Sequence, residues 1–174
     1  MGWGMARIKE LIDLSGQTAL VTGAAQGIGT ASARRLAEAG ASVVVTDVRA
    51  DAGSQLAQEI VRDGGRARFL PLDVARIETL PDVLARIHEE ATRIDLLVNN
   101  AGVFPAAPAL ETTPERWDAV RNLNLRGRFF LTTEVAHRMR ASGGGRIIHI
   151  ASIDALRPPG SSPPTTPPRR GSRC

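Results

Sequence analysis

The stretch "TGAAQGIG", residues 22–29, carries the first chemistry legible in the chain. Gly23, Gly27 and Gly29 fall where an apolar run gives way to a helical pattern. A strand-to-helix turn of this kind aims backbone N–H groups and the positive end of a helix at one point, which suits a pyrophosphate. Gly23 allows the tight turn, Gly27 lets phosphate approach the main chain, and Gly29 lets helix and strand pack closely. Gln26 and Ile28 complete the loop. Asp47 closes the next apolar run, "SVVVTD". A carboxylate there accepts hydrogen bonds from adenosine ribose hydroxyls and repels a 2′-phosphate, so the pair points to NAD over NADP. The competing reading of Asp47 is a cap for the helix that follows.

The elements that would position these groups alternate regularly. Strands are expected at 18–23, 42–47, 67–74, 94–102 (with its exit loop) and 145–152. They are short, continuously apolar and rich in Val, Ile and Leu, as strands buried on both faces are. Helices are expected at 27–40, at about 50–63 ending in Gly64-Gly65, and at 77–92, beginning near or kinked by Pro81. The first should bury a stripe of Ile28, Ala31, Leu36 and Ala39. Thr113 and Pro114 read as N-cap and first residue of a long helix to about Arg140. This βαβ order gives an α/β class: a Rossmann-like, doubly wound parallel sheet of about five strands with helices on both faces. Residues 1–13 read as an N-terminal extension, 14–156 as the nucleotide-binding domain, and 157–174, where prolines crowd, as a disordered tail.

Composition excludes several classes. A chain of 174 residues holds one domain with a real core. The net charge is +4, but the arginines are spread over helix faces and only 3% of residues are aromatic, so no nucleic-acid platform is expected. No apolar run is long enough for a membrane span, and "MGWGMARIKELIDLSG" lacks the apolar block of a signal peptide, which points to a cytoplasmic protein, with Met5 as an alternative start. The single Cys174 reads as a free thiol, and no metal-ligand cluster is expected.

Five motifs in order now carry a resemblance. "TGAAQGIG" resembles the TGxxxGxG loop of the short-chain dehydrogenase/reductase family. "LDV" (72–74) resembles its adenine-binding segment, and "NNAG" (99–102) its next motif. Trp117 followed by Asn124 resembles the helix carrying a structural and catalytic asparagine, and "IIHIAS" the strand delivering the catalytic serine. The resemblance covers about 14–156 and implies a NAD-linked oxidoreductase acting on a secondary alcohol or ketone. It implies that Gly23, Gln26, Gly27, Ile28 and Gly29 hold the pyrophosphate, Asp47 the ribose, and Asp73 and Val74 the adenine. Asn99, Asn100, Ala101 and Gly102 would line the nucleotide and brace the central strand. Asn124 would position a proton-relay water and Ser152 polarise the substrate carbonyl. His149, within the expected fifth strand, reads as a packed core residue. The family is usually homo-oligomeric.

The same resemblance exposes a gap. In the family a tyrosine protonates the product alkoxide, and a lysine four residues on lowers its pKa. This sequence has no tyrosine, and its one lysine is Lys9, ahead of the first strand. The chain therefore resembles a family member truncated or frameshifted after Ser152, with the fifth strand left as a sheet edge, apolar surface exposed and a tendency to aggregate. Read one base back, the codons around 164–171 are compatible with Y-[N/D]-A-S-K-A-G, whose tyrosine falls 13 residues after Ser152. The alternative is chance agreement in a permissive Pro/Arg/Thr tail, and sequencing the gene past the Ser152 codon separates the two. Two other readings stay open: a non-catalytic NAD-binding module, or a non-functional truncation product.

Overall fold

The computed structural model describes residues 12–91, 93–105 and 107–152. The tail, 157–174, and the reading-frame expectation lie outside them. Five strands form one parallel sheet: β1 (Thr18–Thr22), β2 (Ser42–Asp47), β3 (Arg66–Pro71), β4 (Leu96–Asn99) and β5 (Arg146–His149), in the order β3-β2-β1-β4-β5. The helices are α1 (Gly27–Glu38), α2 (Ala50–Arg62), α3 (Leu80–Ala91), α4 (Pro114–Arg121) and α5 (Arg128–Ala141). The order reverses between β1 and β4, so the strand ends there open a crevice, the usual ligand position in such sheets.

Two cores form because successive side chains of a strand point to opposite faces. Ala19 and Val21 meet Ala33, Ala37, Leu56 and Ile60 on one side. Leu20, Val44 and Leu97 meet Leu84, Ile87, Leu131 and Val135 on the other. Each face needs its own helices, which explains why β1 is buried throughout.

Several expectations are corrected. The buried stripe of α1 is Gly29, Ala33 and Ala37, while Ile28 is 60% exposed. The helix sits too close to the sheet for large residues, since a Cβ on Gly29 would lie 2.3 Å from the Gly23 carbonyl oxygen. β3 stops at Pro71, which has no N–H for the ladder, and the Asp73 carboxylate turns the chain by accepting from Ala75 N at 2.9 Å. In the 77–92 segment the α-helix begins beside Pro81, as expected, after a 3₁₀ turn (Ile77–Thr79). The long helix is interrupted by a π-type stretch, Asn122–Gly127, although Thr113 caps it as expected, accepting from Arg116 N at 3.4 Å.

β5 is a sheet edge among the described residues, and His149 on it is exposed rather than packed in the core. The expected apolar surface is there: Ile148, Trp117, Phe129 and Phe130 are all more than two-fifths exposed. No helix among the described residues is long and apolar enough to cross a membrane.

Candidate functional site

The glycine loop is fixed from beneath by hydrogen bonds to the β4 exit. Thr22 is fully buried, and its Oγ1 accepts from Asn100 N and Ala101 N, each at 3.0 Å. The Asn100 amide returns the contact, donating to the carbonyls of Thr22 and Gly23, each at 2.9 Å. Gly23 has φ +61°, and a Cβ there would lie 2.7 Å from Ala101 Cα, so no other residue fits. Gly27 has φ +54° with open space where its side chain would be. Carbonyls tied back and space left above the turn are what an incoming phosphate requires.

A cleft of about 330 Å³ opens over this loop. Gly23, Gln26, Gly27 and Ile28 line it, together with Asp47, Asp73 and Val74 and with Asn100, Ala101 and Gly102. Gly29 and Asn99 do not line the cleft. Gly29 packs beneath it, and Asn99 turns toward α5, donating to the Arg128 carbonyl at 3.2 Å and to Thr132 Oγ1 at 3.0 Å.

Asp47 bridges the glycine loop and the chain entering α2. One oxygen accepts from Ala25 N in the glycine loop at 3.0 Å; the other accepts from Arg49 N at 3.0 Å, at the start of α2. Its carboxylate also pairs with Arg49 Nε at 3.4 Å. The acid thus ties the loop to the start of α2 at the lining of the cleft.

Asn124 and Ser152 share a neighbouring cleft of about 600 Å³. The Asn124 side chain binds both polar groups of Val103, accepting from its N–H at 2.9 Å and donating to its carbonyl at 2.7 Å. That amide braces the loop after β4, and it projects from the π-type stretch. Gly127 closes this stretch because a Cβ there would lie 2.2 Å from the Val74 carbonyl oxygen. Ser152 is exposed at the exit of β5. Ile28, Asn100, Gly102 and Val103 border both clefts, so the two adjoin.

Three contributors leave little trace in the sequence: Thr22, Arg49 and Arg128. Thr22 lies inside the motif but before its glycines. Arg49 is signalled only by its place two residues after Asp47. Arg128 stands four residues after Asn124, hence on the same helical face, and lines the Ser152 cleft. Burial pushes its guanidinium below its ordinary pKa. Among the described residues no group of His, Cys, Asp and Glu gathers to hold a metal.

Comparison with known proteins agrees with this geometry. A family model described as short chain dehydrogenase matches residues 17–164. D-threitol dehydrogenase of Mycolicibacterium smegmatis is 40% identical over 139 residues, covering 80% of this chain and 54% of that protein. Cyclopentanol dehydrogenase of a Comamonas species is 39% identical over 137 residues, covering 79% and 55%. A crystal structure of a gluconate 5-dehydrogenase from Burkholderia cenocepacia, in complex with NADP and tartrate, superposes with a TM-score of 0.85 at 34% identity. The match covers 91% of this chain and 62% of that one. The chain spans about half the length of the curated relatives it matches.

Proposed function

The chain belongs to the short-chain dehydrogenase family, which binds NAD(P), and from that premise we propose that residues 14–156 are the dinucleotide half of a NAD-linked alcohol dehydrogenase or ketone reductase. The observation that carries the reading is the cross-tied glycine loop: Thr22 and Asn100 occupy the polar groups beneath it while the space over Gly27 stays open. The donor set fits the cofactor. The loop at Gly23, Gln26, Gly27, Ile28 and Gly29 would take the pyrophosphate, Asp47 the adenosine ribose, and Asp73 and Val74 the adenine. Asn100, Ala101 and Gly102 would lie along the nicotinamide half, and Asn99 would brace the strand behind them.

NAD is favoured over NADP because the Asp47 carboxylate, 6% exposed, would meet the ribose and repel a 2′-phosphate. Arg49 tempers the preference, since it sits beside that carboxylate and half of its side chain reaches solvent. The bound dinucleotide supplies or accepts a hydride. Ser152 would donate its hydroxyl proton in a hydrogen bond to the substrate carbonyl oxygen, stabilising charge as it develops. Asn124 would position the water beside it.

Reduction leaves an alkoxide that needs a proton. These 174 residues contain no tyrosine, and Lys9 lies far back in the sequence. Loss of positioned acid–base catalysis alone costs about 10²–10⁴-fold. The chain on its own is therefore proposed to bind NAD and turn over an alcohol at a vanishing rate. The test is a pair of assays on the purified 174-residue chain: thermal melting with NAD or NADP, and NADH production from D-threitol and cyclopentanol. A melting temperature raised by NAD more than by NADP, with no NADH formed, is the expected result. Steady turnover overturns the catalytic part; indifference of the melt to both nucleotides overturns the binding part.

A further inference from the structure

Arg128 reaches the ends of two strands at once. Its Nε donates to the Ala101 carbonyl at 2.7 Å, and one terminal nitrogen donates to the Asn100 carbonyl at 3.0 Å. The other terminal nitrogen donates to the Ile150 carbonyl at 2.9 Å. All three acceptors are backbone, and among the described residues no carboxylate forms an ion pair with this guanidinium. The contacts lie where the ladder between β4 and β5 runs out, at the bond from Ile150 N to the Asn99 carbonyl, 3.2 Å. β5 has only four residues and, among the described residues, a strand on one side alone. Its exit, which carries Ser152, is thus weakly held by the sheet itself. Gly102 leaves room for the arginine, since a Cβ there would lie 2.7 Å from its terminal nitrogen.

We propose that Arg128 is a positioning residue, a three-way strap that holds the Ser152 segment against the Asn100–Ala101 turn. Through it, the serine and the loop facing the dinucleotide are presented as one unit. A planar fork of five N–H groups can grip carbonyls in three directions; a lysine ammonium on a flexible stem cannot hold the same three in fixed directions. The inference rests on the reading of that turn as the nicotinamide side of the cleft.

The test uses the full chain as wild type, Arg128→Met and Arg128→Lys. Amide hydrogen exchange is followed at Ile150, with Leu20 and Val44 in the central strands as internal references. Arg128→Met should speed Ile150 exchange about tenfold or more and leave the references unchanged, with Arg128→Lys between. The second readout is affinity for NADH against ADP-ribose, which lacks the nicotinamide. Arg128→Met should weaken NADH about tenfold while leaving ADP-ribose alone, and Arg128→Lys should recover part of the loss. Unchanged Ile150 exchange overturns the strap, as does an equal loss for both ligands. If wild type binds neither ligand, the cofactor reading has failed, and the exchange readout alone decides the strap. If Arg128→Met does not fold, the comparison of Ile150 with Leu20 in Arg128→Lys decides it.

Discussion

Thr22→Val is the substitution that most sharply separates this site from an ordinary loop. The two side chains have nearly the same shape, so the cavity left is negligible and the loss is polar. Thr22 is fully buried, and its Oγ1 is the acceptor for two backbone N–H groups, Asn100 and Ala101, each at 3.0 Å. A buried donor left without a partner costs about 1–3 kcal/mol. Only Ala101 N loses its partner, because Asn100 N keeps a second acceptor, the Val98 carbonyl at 3.1 Å, so the change should cost about 1–3 kcal/mol. That is a large share of the roughly 5–15 kcal/mol by which a domain is stable. Thr46→Val is the control: Thr46 is equally buried but only donates, to the Val21 carbonyl at 3.0 Å. Under-satisfied carbonyls are tolerated better than orphaned N–H groups, so the control should cost about 1 kcal/mol. Urea unfolding followed by circular dichroism gives both values, with an unchanged slope expected for each. A Thr22→Val loss no larger than that of Thr46→Val would refute the view that this hydroxyl ties the glycine loop to the β4 exit.

Three further outcomes are expected. Gly29→Ala places a methyl 2.3 Å from the Gly23 carbonyl oxygen and 2.6 Å from the Asn100 amide, so it should abolish the NAD-dependent rise in melting temperature while leaving the circular dichroism spectrum helical and β-rich. Asp47→Asn removes the carboxylate proposed to repel a 2′-phosphate; comparative titration with NADH and NADPH should show their affinity ratio moving about tenfold toward NADPH. The double change Phe129→Ser with Phe130→Ser, at two exposed aromatics in edge-to-face contact, should lower self-association measured by light scattering without lowering thermal stability.

The central strands were readable in the sequence because β1, β2 and β4 are short, largely apolar runs; the end of β3 at Pro71 was not, since the apolar pattern continues to Val74. The glycine loop was readable because Gly23 and Gly29 answer to backbone geometry that no other residue satisfies. Elsewhere the signal is not local. The face α1 buries is set by how near the sheet lies, which favours Gly29, Ala33 and Ala37 over the larger Ile28. The exposure of His149 depends on what flanks β5, not on the run "IIHI". Arg128 is silent because its partners are carbonyls, which every residue has; only the fold brings Asn100, Ala101 and Ile150 around one guanidinium. The π-type stretch at Asn124 likewise follows from the close pass of Gly127 over Val74.

Isothermal titration calorimetry of the 174-residue chain with NADH bears most directly on the account. A single saturable event of one NADH per chain, with a dissociation constant from micromolar to sub-millimolar, is the predicted result. Heats no greater than dilution up to millimolar NADH, from protein whose circular dichroism shows the α/β fold intact, would contradict it.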